Sequence, residues 1–246
     1  MRRLKLFALA AFALLALGAA SVPGASAAFV LEPTECKGGA VLAVCWDSSE
    51  TGTALRELVG EEKVEFTQEK TPAPLFEALT TAGTTLVHFE CENGTGTGTV
   101  LQNTPLTSSP TAEKVFATFT GCKVVTPATC SIEKEIKTVE LSGGLEELAP
   151  SVDLLLKPAA GKVFVEPKFS GASCAFLGKQ PIDGVAECLL LPEALTLDAL
   201  TQLCEFIHED ETLTFGASEN KASILAEFEV LFPTLEETDF WDVTLA

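Results

Sequence analysis

The stretch Ile224-Leu225-Ala226-Glu227-Phe228-Glu229-Val230-Leu231-Phe232 decides the fold class, because apolar and charged side chains alternate along it. Successive side chains of an extended strand point to opposite faces, so every second residue shares a face. Glu227 and Glu229 would face water. The opposite face would enter the core with Ile224, Ala226, Phe228, Val230 and Phe232. This pattern predicts a strand that is buried on one side.

The same alternation recurs through much of the chain. It occupies residues 86–91, 115–124, 152–156 and 163–169. Turn-forming residues separate these runs: Asn93-Gly94, Gly143-Gly144, residues 158–161, Asp183-Gly184 and residues 216–220. Many short strands at this spacing predict an all-β fold, mainly an antiparallel sandwich or barrel, and leave those two alternatives open.

Two segments show helical spacing instead. Pro192-Glu193 opens a segment in which apolar side chains recur every three or four residues, at Leu200, Leu203, Cys204 and Ile207. A shorter segment covers residues 53–59 and ends at Gly60. The sequence therefore predicts one or two short helices beside the sheet.

A glycine–threonine repeat covers residues 94–99. In a strand, its glycines would lie on one face and its threonines on the other. We expect a flat glycine face that a neighbouring group can approach closely. A phosphate-binding loop is not indicated, because no lysine or helix pattern follows the repeat.

The N-terminus resembles an export signal. Arg2, Arg3 and Lys5 precede an apolar run over residues 6–20, and Ala25-Ser26-Ala27 provides small residues for cleavage. The run is short for a membrane span, although an uncleaved anchor is the competing interpretation. We expect a signal peptide over residues 1–27 and a secreted or cell-envelope product without stable membrane insertion.

The rest of the chain divides faintly into two parts. Residues 28–83 are rich in loop-forming residues and carry their own pair of cysteines. Regular alternation begins at residue 84. The sequence predicts a loop-rich N-terminal extension over residues 28–83, packed on a β-domain over residues 84–246.

The charge balance limits the possible partners. The chain has 16 basic and 35 acidic residues, for a net charge of −19. Such a surface repels polyanions, so nucleic-acid binding is not expected. Weak binding of divalent cations remains open, although a solvated acidic surface is the preferred interpretation.

Eight cysteines follow the predicted signal peptide, and their even number predicts four disulfides in an oxidising compartment. They are Cys36, Cys45, Cys91, Cys122, Cys130, Cys174, Cys188 and Cys204. Close spacing suits Cys36–Cys45 and Cys122–Cys130. The other four cysteines leave two pairings open, Cys91–Cys174 with Cys188–Cys204 or Cys174–Cys188 with Cys91–Cys204. No C-x-x-C pair suggests zinc.

The candidates for catalysis are sparse. His88 and His208 are the two histidines, and each is interpreted as a surface residue near acidic neighbours. Glu227 and Glu229 lie one strand pleat apart, roughly 6.5–7 Å, near the lower limit for an inverting glycosidase pair. Any amphipathic strand has this geometry, so a solvated strand face is strongly preferred. No G-x-S-x-G motif indicates a serine hydrolase.

Carbohydrate binding by ring stacking has two candidates. Trp46 and Trp241 are the two tryptophans, and the chain has no tyrosine. We interpret Trp46 as shielding a disulfide beside Cys45 and Trp241 as packing on a terminal strand.

Several stretches together resemble a family of secreted, uncharacterised β-rich proteins of actinobacteria. The stretches are residues 89–99, 117–122, 143–148, 152–158 and 169–174. The resemblance covers about residues 84–190 and the signal peptide. It implies an exported β-rich protein with no assigned activity, and it favours Cys91–Cys174 with Cys122–Cys130.

These observations predict a secreted, non-enzymatic extracellular or cell-surface module of structural or binding function. We expect no catalytic, cofactor-binding or metal-binding residues, because no base, nucleophile or ligand set converges. The alternative is a secreted hydrolase of the carboxylate-pair type. A third possibility, calcium-dependent adhesion through residues 209–211 or 236–237, lacks the spacing of a calcium loop.

Overall fold

A computed structural model describes residues 42–47, 55–57, 60–68, 73–102, 110–148, 151–191, 201–206, 212–217, 220–233 and 240–245. These ranges form strands and no helix, which confirms the all-β fold class. The strands are β1 (Leu42–Asp47), β2 (Leu55–Glu57), β3 (Gly60–Gln68), β4 (Leu75–Leu79), β5 (Thr85–Glu90), β6 (Asn93–Gln102), β7 (Thr111–Thr120), β8 (Lys123–Thr126), β9 (Ser131–Ile132), β10 (Glu135–Lys137), β11 (Leu141–Leu148), β12 (Ser151–Pro158), β13 (Val163–Val165), β14 (Lys168–Ser170), β15 (Gly178–Lys179), β16 (Ile182–Asp183), β17 (Ala186–Leu191), β18 (Thr201–Phe206), β19 (Thr214–Phe215), β20 (Asn220–Leu231) and β21 (Phe240–Leu245).

Eight of these strands form a closed antiparallel ring. Their order is β20-β18-β17-β12-β11-β7-β6-β3, and β3 pairs back with β20. Every neighbouring pair in the ring is antiparallel. Of the two architectures that the sequence left open, the ring corresponds to the barrel. Closure leaves no unpaired edge in this part of the molecule.

Strand β20 also belongs to a second sheet. Its C-terminal half pairs with β18 and β3 in the ring, whereas its N-terminal half pairs with β19 and β4. The second sheet has the order β8-β5-β4-β20-β19-β16-β13. Two smaller sheets have the orders β15-β14-β9 and β2-β1-β21.

The alternation that predicted β20 is confirmed by its burial. All five residues of the predicted core face are buried: Ile224, Ala226, Phe228, Val230 and Phe232. Glu227 and Glu229 are half-buried rather than fully exposed. One face of the strand therefore supplies the interior of the ring, as expected from a period of two.

Aromatic side chains connect the two sheets through the core. Phe119 contacts the rings of both Phe76 and Phe228, edge to face, at centroid distances of 5.0 and 6.3 Å. Phe76 stacks on Phe89 at 4.6 Å, and Phe89 contacts Phe169. Such pairs add to the gain from burial alone, so the ring and the second sheet share one continuous core.

The predicted helices were wrong where the structure describes the backbone. Residues 201–206 form β18, and residues 55–57 form β2, with β3 beginning at Gly60. Residues 192–200 lie outside the described residues. Strand β18 is hydrogen-bonded on both sides, to β17 and β20, so sheet pairing outweighs the local helical spacing.

The ring also crosses the boundary predicted after residue 83. Strands β3 and β4 lie within residues 28–83, the predicted loop-rich extension. Strand β3 nevertheless pairs with β6 and β20, and β4 pairs with β5 and β20. This N-terminal segment therefore contributes integral strands, because without β3 the ring would not close. The predicted signal peptide lies outside the described residues.

The prediction of a flat glycine face on β6 is confirmed. A Cβ atom added at Gly96 would lie 2.7 Å from Cδ2 of Phe66, and one added at Gly98 would lie 2.9 Å from Cγ2 of Val115. On the opposite face, Thr95 and Thr97 are exposed. The glycines thus allow large side chains to pack directly on the strand backbone.

Candidate functional site

The interior of the ring contains a cavity of about 40 Å³. Its walls come from strands on opposite sides of the ring and from two residues beside β10 and in β13. The lining residues are Phe66, Gly96, Val115, Ala117, Phe119, Thr138, Leu141, Leu154, Leu156, Phe164, Ile224 and Phe228. Most of these are the inward residues of alternating strands, so the cavity is what remains between the packed faces.

One row of register partners across neighbouring strands, called the rung below, is less buried than the rest of the cavity wall. Phe66, Gly96 and Ala117 are direct partners across β3, β6 and β7. These three residues are half-buried, whereas the other lining residues are buried. The Phe66 ring lies over the glycine face of β6. Since solvent reaches the Phe66 side chain, this rung is where the cavity approaches the surface.

The cavity wall is apolar. Thr138 is its one polar side chain, and its hydroxyl oxygen accepts a hydrogen bond from the Ala117 backbone N–H at 3.0 Å. The Thr138 N–H in turn donates to the Ala117 carbonyl at 3.0 Å. Two hydrogen bonds therefore join Thr138 to the backbone of β7 at Ala117. No polar atom is exposed to the cavity.

The disulfides differ from the predicted pairs. The structure pairs Cys91 with Cys122 and Cys130 with Cys174. The predicted pairs Cys122–Cys130, Cys91–Cys174, Cys174–Cys188 and Cys91–Cys204 are therefore wrong. Cys91 precedes β6 and Cys122 follows β7, and the register that opposes Asn93 to Thr120 brings them together. Strand pairing, not closeness along the chain, determines this bond.

The second disulfide depends on the smallest sheet. Ser131 of β9 pairs with Ser170 of β14, and Cys130 and Cys174 lie just beyond this pair. A turn helps to bring the chain back, since the Cys174 N–H donates to the Gly171 carbonyl. All four cysteines are buried, and none of them lines the ring cavity.

The remaining cysteines can be placed only in part. Cys188 is buried and disulfide-bonded. The side chains of Cys36, Cys45 and Cys204 lie outside the described residues. The predicted pairs Cys36–Cys45 and Cys188–Cys204 therefore stay predictions.

His88 and Glu90 lie together on β5, on the face opposite Val87 and Phe89. The His88 Nε2 atom is 3.5 Å from Glu90 Oε1, and Lys123 Nζ is 3.5 Å from Glu90 Oε2. His88 is half-buried, and the group faces away from the ring cavity. His208 lies outside the described residues.

The predicted carboxylate pair does not line the cavity. Glu227 and Glu229 flank Phe228, which points into the cavity, so by strand alternation both carboxylates point to the outer face. Within the described residues, no group of three or more His, Cys, Asp or Glu side chains could hold a metal ion. The two candidate features, the cavity and the carboxylates, are therefore on opposite faces of β20.

The sequence did not predict the cavity or the exposed position of one aromatic residue. Alternation identified inward positions on single strands, but it did not show that Phe66 and Leu156 would face each other across a ring. Phe116 is 43% exposed on the outer face of β7, opposite Thr97. Trp46 and Trp241 are register partners on β1 and β21, and their side chains lie outside the described residues.

Among the described residues, no helix is long and apolar enough to span a bilayer. Comparisons with known proteins give no further assignment. No protein-family model matches the chain, and no curated protein and no solved structure matches it. The resemblance to secreted proteins of actinobacteria stays a prediction.

Proposed function

We propose that this protein is an exported, disulfide-stabilised extracellular module. Its role is structural or binding, and it has no catalytic activity. The observation that carries the proposal is the separation of the cavity from the titratable residues. The cavity presents only apolar surface, and His88, Glu90, Glu227 and Glu229 all face away from it. Enzyme sites combine a pocket with convergent acids, bases or nucleophiles.

The covalent bonds support the export part of the proposal. The described side chains include two disulfides, Cys91–Cys122 and Cys130–Cys174, and Cys188 is also disulfide-bonded. Disulfides persist in oxidising compartments and are rare in a reducing cytosol. The acidic composition agrees with a protein that stays dispersed outside the cell, because like charges keep the molecules apart.

The catalytic part of the proposal can be tested with the oxidised, secreted protein. It would be incubated with glycoside, ester and peptide substrates, beside the variant Glu227→Gln/Glu229→Gln. We expect no turnover by either protein. Turnover that is lost in the variant would overturn the proposal in favour of the carboxylate-pair hydrolase.

The export part needs a separate experiment. Expression of the full chain with its leader, followed by mass spectrometry of the medium, should give a product that begins near residue 28. Non-reducing peptide mapping of that product should recover the Cys91–Cys122 and Cys130–Cys174 peptides. A reduced, unprocessed chain retained in the cytosol would contradict export.

A further inference from the structure

We propose that the cavity inside the ring is a binding site for a small hydrocarbon without polar atoms, such as a short alkane. This inference rests on the proposed function, because it supplies the ligand class of a binding module. Three observations support it: the apolar wall of the cavity, the cavity volume, and the half-buried rung of Phe66, Gly96 and Ala117.

The wall chemistry excludes polar ligands. A buried hydroxyl or carboxyl group needs a hydrogen-bond partner, and without one its transfer from water is unfavourable. The cavity exposes no polar atom, and the Thr138 hydroxyl accepts from the backbone N–H of Ala117. Water gains nothing there for the same reason, since a buried water needs two to four polar partners. A hydrocarbon loses no hydrogen bond on entering.

The volume limits the size of the ligand. The cavity of about 40 Å³ is about a quarter of the roughly 150 Å³ apolar cavity that accepts benzene in another protein. A benzene ring is therefore too large for the wild-type cavity, whereas a xenon atom or a short alkane is compatible with it. Phe119, Phe164 and Phe228 supply polarisable walls, which favour contact with such a ligand.

The Phe66 side chain is the large half-buried side chain of the cavity wall. Its neighbours on β6 are Gly96 and Gly98, which carry no side chain against the ring. Phe66 is half-buried, whereas Leu154 and Leu156 on the far wall are buried. On this proposal a ligand enters past Phe66, because the rung of Phe66, Gly96 and Ala117 is the part of the cavity wall that is not fully buried.

The first test uses xenon as the probe on the oxidised protein, followed by NMR of methyl groups. Xenon should shift the methyl resonances of Leu154, Leu156 and Ile224, which line the cavity. The methyls of Leu213, which is buried but does not line the cavity, should stay unchanged. Absence of any shift at the lining residues, or equal shifts at Leu213, would overturn the site.

The second test enlarges the cavity. Leu156→Ala should create room for benzene, so benzene should raise the Tm of this variant and bind it at least about tenfold more tightly than wild type. Leu213→Ala is the matched control, because it removes a buried leucine that does not line the cavity. Its void is not added to the existing space, so benzene should raise the Tm of this variant less than that of Leu156→Ala. Equal benzene effects on both variants would contradict the proposal.

If Leu156→Ala does not fold, the xenon experiment on the wild-type protein decides alone.

The proposed function and the proposed ligand site are contradicted by different results. A protein that binds no xenon but is exported and shows no turnover retains the proposed function and loses the ligand site. A protein that turns over a substrate loses the proposed function whether or not xenon binds.

Discussion

At the scale of single residues, glycine determines how closely the walls of the ring can pack. Gly96 lies between Phe66 and Ala117, and the space that a side chain would need is filled. An added Cβ atom would be 2.6 Å from the Phe116 carbonyl oxygen and 2.7 Å from the Phe66 ring. The backbone oxygen cannot rotate away as a flexible side chain could. Gly144 on β11 differs, because a Cβ atom added there would have no heavy atom of a neighbouring residue within 4 Å.

The variant Gly96→Ala should therefore destabilise the protein by about 1–3 kcal/mol, the usual cost of overpacking. The matched variant Gly144→Ala should be neutral or stabilising by up to about 1 kcal/mol, because alanine restricts the unfolded chain. Urea unfolding measures both. Equal losses in the two variants would show that the close approach at Gly96 has no special role.

An exposed ion pair gives a prediction about pH. Lys179 Nζ donates to Glu166 Oε2 at 2.7 Å. This hydrogen bond, followed by the attraction between the charges, raises the pKa of Lys179 above its usual 10.5. A raised lysine pKa means that the pair stabilises the fold below about pH 10.5 and that this contribution is lost as pH rises through the raised value.

Glu166→Gln should lower the pKa of Lys179 toward its usual value, because the carboxylate charge is removed. An NMR titration of the Lys179 side chain measures the change. Glu135→Gln is the control, since Glu135 pairs with Lys137 instead, and it should leave the Lys179 titration unchanged. A Lys179 pKa that is the same in Glu166→Gln and wild type would contradict the assignment.

At the scale of elements, the disulfides join turns that strand pairing has already brought together. Cys91–Cys122 spans 31 residues of sequence and Cys130–Cys174 spans 44. A cross-link restricts the unfolded chain more when its loop is longer, but the dependence on length is only logarithmic. The two bonds should therefore contribute similar amounts.

Replacement of either pair by alanines, Cys91→Ala/Cys122→Ala or Cys130→Ala/Cys174→Ala, should cost about 2–5 kcal/mol of the free energy of unfolding. Alanine is the suitable replacement because all four sites are buried and a serine hydroxyl would need a partner. Denaturant unfolding under non-reducing conditions measures the loss. A pair whose removal leaves the midpoint unchanged would not be a stabilising cross-link.

Elements also show how far the sequence could predict the fold. Alternation is local, so it identified the buried face of β20 and the glycine face of β6 correctly. The pairing of strands is not local: β3 closes the ring against β20, more than 150 residues later in the chain. The cavity and the disulfide pairs follow from that pairing, so neither could be derived from periodicity or spacing. The helical spacing was wrong at residues 201–206, because hydrogen bonding to a strand on each side outweighs the local helical preference.

At the scale of the whole molecule, the charge of −19 acts on the compact state. Like charges repel across the folded surface, and salt screens that repulsion. Increasing ionic strength from about 0.01 to about 0.15 M shortens the screening length from about 30 to about 8 Å. The urea midpoint near neutral pH should therefore rise over this range. A falling midpoint would indicate that attractive ion pairs outweigh the excess of acidic residues.

Strand β20 belongs to both large sheets, because its two halves pair with different neighbours on each side. Within the part of the chain that the structure describes, a fragment without β20 would therefore lose a strand from both large sheets. A substitution that shifts β20 in one sheet should therefore alter strand pairing in the other, so the two sheets are expected to unfold together.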